Sequence, residues 1–261
     1  MRENRLAAFG GGAVIGTLGG LIGLGGAEFR LPLLIGSFRF AALEAVILNK
    51  AMSLVVVAAA LVFRTRIISI ETVVSHGDII INILAGSMAG AWFGAGWAMR
   101  LKSDGLYRII AVLLVIIAGA LLFGHDATGQ GVPLFSGTVQ IVAGVLAGFA
   151  IGIVASLLGV AGGELLIPTL VLLFGLDIKL AGSLSLAISL PTMIVGFSRY
   201  TQDASFAVLG RNRTFMVVMA AGSLAGAFIG GMLLGMAPSA ILLPLLAAML
   251  MISAVKVWRH G

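Results

Sequence analysis

The sequence predicts an all-α membrane protein: about ten hydrophobic segments in two inverted-topology repeats of five, with short or broken helices at the second and seventh segments. Three observations predict it. Of 261 residues, 60% are hydrophobic and 10% charged, with a mean hydropathy of +1.17; an ordinary soluble domain has about 45–50% and about 25%. Apolar segments joined by short polar connections account for almost the whole chain. The second half repeats the first at a constant offset. A water-soluble fold of this size cannot cover its surface with 16 basic and 10 acidic side chains, which excludes a cytosolic enzyme. With no cysteine, disulfides, thiolate metal sites and cysteine nucleophiles are excluded too.

The segments run over residues 6–23, 24–36, 41–63, 77–99, 106–123, 139–159, 160–174, 179–199, 213–235 and 239–257. Arg2 and Arg5 before Leu6-Ala7-Ala8-Phe9 look like the start of a signal peptide. The apolar stretch continues through Gly23 with no polar region after it, so it reads as an uncleaved first membrane segment. The second and seventh segments are too short for comfortable crossings. The longest polar stretch, His125 to Gly137, is rich in glycine. It divides a first membrane repeat (1–124) and linker (125–138) from a second repeat (139–261).

A shift of 136 residues aligns the halves without a gap, placing Leu21 on Leu157 and Pro32 on Pro168. Gly26 and Glu28 then fall on Gly162 and Glu164, and Gly86-Ser87 and Gly90-Ala91 on Gly222-Ser223 and Gly226-Ala227. Gly12, Gly16, Leu48, Ser53, Leu54 and Gly94 also meet identical residues. One register held from Gly12 to Ala118 is a tandem duplication. Each half has an odd number of segments, so the second starts from the opposite side of the membrane. Counting crossings, one side receives Arg2, Arg5, Arg39, Arg100, Lys102, Arg108, Arg199, Arg211, Arg213, Lys256 and Arg259. The other receives Arg64, Arg66 and Lys179. The bias puts both termini in the cytoplasm of a multi-pass inner-membrane protein. If the first two segments of each half form a re-entrant hairpin, three crossings per half remain, also an odd number. The repeats are inverted either way.

Inverted repeats with interrupted helices are a transporter architecture, with the substrate site near the midplane where the repeats meet. Gly23-Leu24-Gly25-Gly26 and Gly159-Val160-Ala161-Gly162-Gly163 stand where such breaks are needed. Glycine permits a positive φ and leaves backbone N–H groups bare, and the following helix points its positive dipole end into the break.

These residues resemble the sulfite exporter TauE/SafE family, the TSUP anion transporters. Gly25-Gly26 with Pro32, and Gly162-Gly163 with Pro168, look like the two copies of its glycine–proline motif. Gly182-Ser183-Leu184-Ser185-Leu186-Ala187-Ile188-Ser189-Leu190-Pro191-Thr192 is similar to its polar helix in the second half. The resemblance covers nearly the whole chain. It implies secondary transport of sulfite, sulfonates such as sulfoacetate, or small organic acids. Ala27 stands where a third glycine is common, and Glu28, Arg30 and Glu164 are more polar than that place usually is.

Charges inside membrane segments are costly and mark functional candidates. Arg30 lies mid-segment, where it either grips a sulfonate or carboxylate by bidentate hydrogen bonds or pairs structurally with Glu28 or Glu44. Lys50, beside Asn49, is the second cationic candidate, against a snorkelling or Glu44-paired lysine. Arg199 closes the eighth segment and reads as a positive-inside anchor before a ligand contact. Glu28 and Glu164, repeat equivalents, either carry a proton with the anion or neutralise neighbouring cations. Ser183, Ser185, Ser189 and Thr192 offer hydroxyls to oxyanions or to their own backbone. The expected substrate site is Gly25, Gly26, Arg30, Asn49, Lys50, Gly162, Gly163, Ser185 and Ser189, with Glu28 and Glu164 for proton coupling. Gly86, Gly90 and Gly94, with Gly222, Gly226 and Gly230, read as a helix-packing face, and Trp92 and Trp97 as interface or core aromatics.

Enzyme readings lack their residues. His76, His125 and His260 lie in loops or at the C-terminus, so no helix carries a zinc or haem pair, and no P-loop occurs. Neither cofactor nor metal is expected. The expected partners are a small anionic substrate and the lipid bilayer, without nucleic acid, and a homodimer is left open. A passive anion channel and a non-transporting scaffold subunit are the alternatives to a carrier.

Overall fold

The structure is a computed structural model describing residues 5–22, 26–64, 69–123 and 133–232, with isolated positions from 248 to 259. Gly25, linker residues 125–132 and most of the tenth segment lie outside the described residues. Every regular element among the described residues is helical, since a backbone in lipid must bond within itself. The helices are α1 (Arg5–Ile22), α2 (Ala27–Gly36), α3 (Ala42–Arg64), α4 (Ile70–Ser75), α5 (Gly77–Arg100), α6 (Ser103–Phe123), α7 (Gly137–Leu158), α8 (Gly163–Phe174), α9 (Ile178–Tyr200), α10 (Val208–Arg211) and α11 (Arg213–Met232). Among the described residues five helices are long and apolar enough to cross a membrane, over Ala42–Val62, Gly77–Arg100, Gly137–Leu158, Leu180–Tyr200 and Arg213–Gly230.

The duplication is carried into the helix boundaries. Adding 136 to Ala27, Ala42 and Gly77, which open α2, α3 and α5, gives Gly163, Ile178 and Arg213, which open α8, α9 and α11. The last residues of α3 and α9, Arg64 and Tyr200, also differ by 136.

Glycine contacts reveal how neighbouring helices run. A Cβ added at Gly12 would lie 2.3 Å from the Met219 carbonyl oxygen, and one at Gly16 2.2 Å from that of Ser223. Residue numbers rise together along both helices, so α1 is parallel to α11. In the same way a Cβ at Gly86 would lie 1.9 Å from Val145 O and one at Gly90 2.0 Å from Phe149 O, making α5 parallel to α7. Gly222 and Gly226 are equally tight against Phe9 and Ala13. The four-residue glycine steps are therefore backbone-to-backbone packing faces, since any side chain there would force the helices apart.

The short helices fold back on their predecessors. A Cβ at Gly26 would lie 2.5 Å from Ile15 O, while one at Gly11 would meet Leu33 Cδ2 at 2.9 Å, so α2 descends along α1. On the other side, Gly162 lies beside Ile151 and Ala155, and Gln140 Nε2 donates to Leu173 O at 2.8 Å. Thus α1–α2 and α7–α8 are hairpins with a long and a short arm. The 10-residue α2 is about 15 Å long, half the thickness of a hydrocarbon core.

Between the hairpins sits α3, packed on α2, α7, α9 and α11. Ile47, Leu48 and Met52 on it are fully buried. At its first turn Glu44 accepts a hydrogen bond from Arg211 Nη2 at 2.7 Å. Glu44 is thus the partner of Arg211, not of Arg30 or Lys50, whereas Glu28 still interacts electrostatically with Arg30.

Candidate functional site: the paired helix breaks

Each break turns on a left-handed glycine. Gly26 (φ 72°, ψ 18°) precedes α2 and Gly162 (φ 82°, ψ 11°) precedes α8, and neither helix start has a side-chain cap. Gly159 ends α7 in the same conformation (φ 66°, ψ 30°). Only glycine adopts these angles without strain, and at Gly159 a Cβ would also lie 2.3 Å from Val46 O on α3. Gly163 is the first residue of α8.

Glu28 and Glu164 are each the second residue of their short helix, and both are buried. Their carboxyl groups lie close enough to interact electrostatically. The two short helices therefore meet end to end, with their positive dipole ends and first-turn carboxyls at one point. Each carboxyl keeps one buried oxygen, Oε2, with no hydrogen-bond partner. Pro32 and Pro168 stand four residues further on, inside α2 and α8. Having no N–H, they leave the Glu28 and Glu164 carbonyls without the usual helix bond, so each break exposes a further acceptor.

Arg30 is fully buried one turn into α2. Its Nε donates to Asn49 Oδ1 at 2.7 Å, Nη1 to Ser223 Oγ at 3.3 Å, and Nη2 to Asn49 O at 3.2 Å and to Ser53 Oγ. The planar guanidinium ties α2 to α3 and α11 with neutral acceptors only. Asn49 Nδ2 then donates to Ala27 O and Leu158 O, both at 3.0 Å. One side chain on α3 thus clamps the start of α2 and the end of α7, which places both breaks at one depth.

Lys50 points the other way. Its Nζ donates to Ser156 Oγ at 3.1 Å and to Ala155 O at 3.4 Å, with the Tyr200 ring 6.0 Å away. A Cβ at Gly196 would lie 2.8 Å from this ammonium, so glycine makes its room. Neither Arg30 nor Lys50 has a carboxylate within 4 Å among the described residues. Both cations lie in the apolar interior held by hydrogen bonds rather than direct ion pairs, with Glu28 acting on Arg30 at longer range.

The serines divide. Ser189 Oγ donates to Ala161 O in the second break at 2.8 Å, whereas Ser185 Oγ donates to Gly182 O of its own helix at 2.9 Å. Ser183 is buried. Thr192 Oγ1 bonds Ser87 Oγ at 2.7 Å and Ile188 O at 2.8 Å. Sequence reasoning did not single out Ser53, Ser156, Gly196, Tyr200 or Ser223 for this site. A signal existed for two of them: Ser53 and Ser223 each meet an identical serine under the 136-residue shift.

A family model described as sulfite exporter TauE/SafE matches residues 8–257. The chain belongs to the TauE/SafE family. Neither the curated proteins nor the solved structures give a match. The TauE/SafE match spans both hairpins and all five candidate crossing helices, so this is a multi-pass membrane protein of a transporter family.

Proposed function

We propose that the protein is a secondary carrier for a small sulfur-containing or organic anion, such as sulfite or a sulfonate like sulfoacetate, that moves together with a proton. The two repeats lie inverted in the membrane. The α1–α2 and α7–α8 hairpins enter from opposite faces and their short arms meet near the midplane. Parallel packing of α1 on α11 and of α5 on α7 supports this arrangement, as does the basic bias that puts both termini in the cytoplasm of the inner membrane. Gly26, Gly162 and Gly163 frame the site, Arg30 and Lys50 supply its positive charge, and Asn49, Ser185 and Ser189 line its polar wall.

The observation that carries the reading is the approach of two buried carboxyls, Glu28 and Glu164, at the starts of the two short helices, in the same interior as the buried cations Arg30 and Lys50. The formal charges explain the coupling. With both carboxyls ionised, Arg30 and Lys50 are balanced and an anion gains nothing by entering. A single shared proton leaves the group at a net charge of about +1, which is costly in hydrocarbon. A monovalent anion restores neutrality. Proton and anion therefore favour each other's binding, and reciprocity is thermodynamically required. Backbone N–H groups at both helix starts face the same space, the arrangement broken-helix carriers use for anionic groups.

Calorimetry of the purified protein with sulfite tests the anion site. Wild type binds with heat, and Arg30→Ala, folded by its thermal transition, shows none. An unchanged affinity in that variant removes Arg30 from the site.

A further inference from the structure

Away from the hairpin breaks, the C-terminal ends of α5 and α9 enclose an open cavity of about 460 Å³ lined by Trp92, Phe93, Gly96, Trp97, Arg100 and Arg199. Among the described residues, none of those in the breaks and no acidic side chain lines it. The guanidinium of Arg199 lies 4.6 Å over the Trp92 ring, and its Nη1 donates to Gln202 Oε1. Its Nε is buried and has no hydrogen-bond partner. A Cβ at Gly96 would sit 3.5 Å from that Nε, so the missing side chain keeps the approach to Arg199 open. Around these cations the rings of Trp92, Phe93 and Trp97 are 45%, 61% and 42% exposed.

Such a mixture has a definite chemical complement. Trp rings at the end of an apolar span belong to the headgroup level of a bilayer. Two arginines without a carboxylate, one with an unsatisfied N–H, call for an anion with several acceptor oxygens. A free inorganic anion would satisfy the arginines and leave three aromatic faces bare. A phosphodiester carrying acyl chains covers both surfaces at once. We propose that this cavity is a binding site for an anionic phospholipid, with its phosphate between Arg100 and Arg199 and its chains along Trp92 and Phe93. This site is separate from the transport path, and its occupancy holds the ends of α5 and α9 together at the membrane surface.

Native mass spectrometry of the full chain in detergent tests this, with phosphatidylglycerol, phosphatidylethanolamine and inorganic phosphate as probes. Phosphatidylglycerol is expected to be retained in preference to phosphatidylethanolamine. Each of Arg100→Gln and Arg199→Gln weakens it about fivefold, and the double variant about thirtyfold. Gly96→Leu, which fills the cavity without changing charge, also removes retention and serves if the double variant does not fold. Equal retention of both lipids overturns the proposal. So does displacement of phosphatidylglycerol by millimolar phosphate, which would mark a site for free anions, or wild-type retention in Gly96→Leu.

Discussion

Replacing Asn49 by alanine removes the clamp between the two breaks. Three side-chain hydrogen bonds disappear: Arg30 Nε loses its acceptor, and the Ala27 and Leu158 carbonyls lose their donor. Hydrogen bonds between membrane helices contribute about 0.6–1.7 kcal/mol each, so three give about 2–5 kcal/mol. The upper half of that range is expected, because the site is fully buried and one orphaned group belongs to a cation. The repeat counterpart supplies an internal control. Ser185 occupies the equivalent position on α9 but bonds only Gly182 of its own helix. Ser185→Ala is therefore expected to cost under about 1 kcal/mol. Unfolding in mixed micelles by titration with sodium dodecyl sulfate measures both. If the two variants lose the same stability, or if Asn49→Ala loses less than about 1 kcal/mol, Asn49 is not the clamp and the shared depth of the breaks needs another explanation.

Gly26→Ala and Gly162→Ala are expected to differ, although both residues have left-handed backbones. Each costs about 1–2 kcal/mol from the conformation, but the Gly26 variant also forces a Cβ to 2.5 Å from Ile15 O, whereas at Gly162 the nearest atom is a side-chain methyl at 3.1 Å. Thermal unfolding in detergent should find Gly26→Ala the less stable, and the reverse order contradicts the hairpin geometry. Arg30→Lys keeps the charge but cannot span Asn49, Ser53 and Ser223 together. Calorimetry with sulfite should find binding weakened by at least about tenfold, the loss of about 1.4 kcal/mol, and full retention would make charge alone sufficient.

Much of this architecture was legible because lipid enforces simple rules. Apolar run length and the repeat offset locate the long helices, and the glycine–glutamate–proline spacing locates the breaks. Arg30, Lys50, Glu28 and Glu164 stand out as charges inside apolar segments. Four things were not legible. Charge counting cannot separate a hairpin from two crossings, because both leave an odd number per half. The partners of Arg30 are neutral groups, one of them Ser223, 193 residues away, and no charge rule selects them. Glu44, the nearest acid in sequence to Lys50, is drawn instead to Arg211 at the helix start. The exposed helix α4, capped by Ser69 accepting from Thr72 N at 3.2 Å, lies in a stretch read only as a connection. Six residues are too few to carry an amphipathic period.

The central claim is that the Glu28–Glu164 contact couples a proton to the anion. The measurement that tests it most directly is sulfite accumulation in proteoliposomes under an imposed pH gradient, for wild type, Glu28→Gln and Glu164→Gln. Wild type is expected to concentrate sulfite on the alkaline side, and each glutamine variant to lose that response while still binding the anion. PH profiles identical to wild type in both variants would contradict the account.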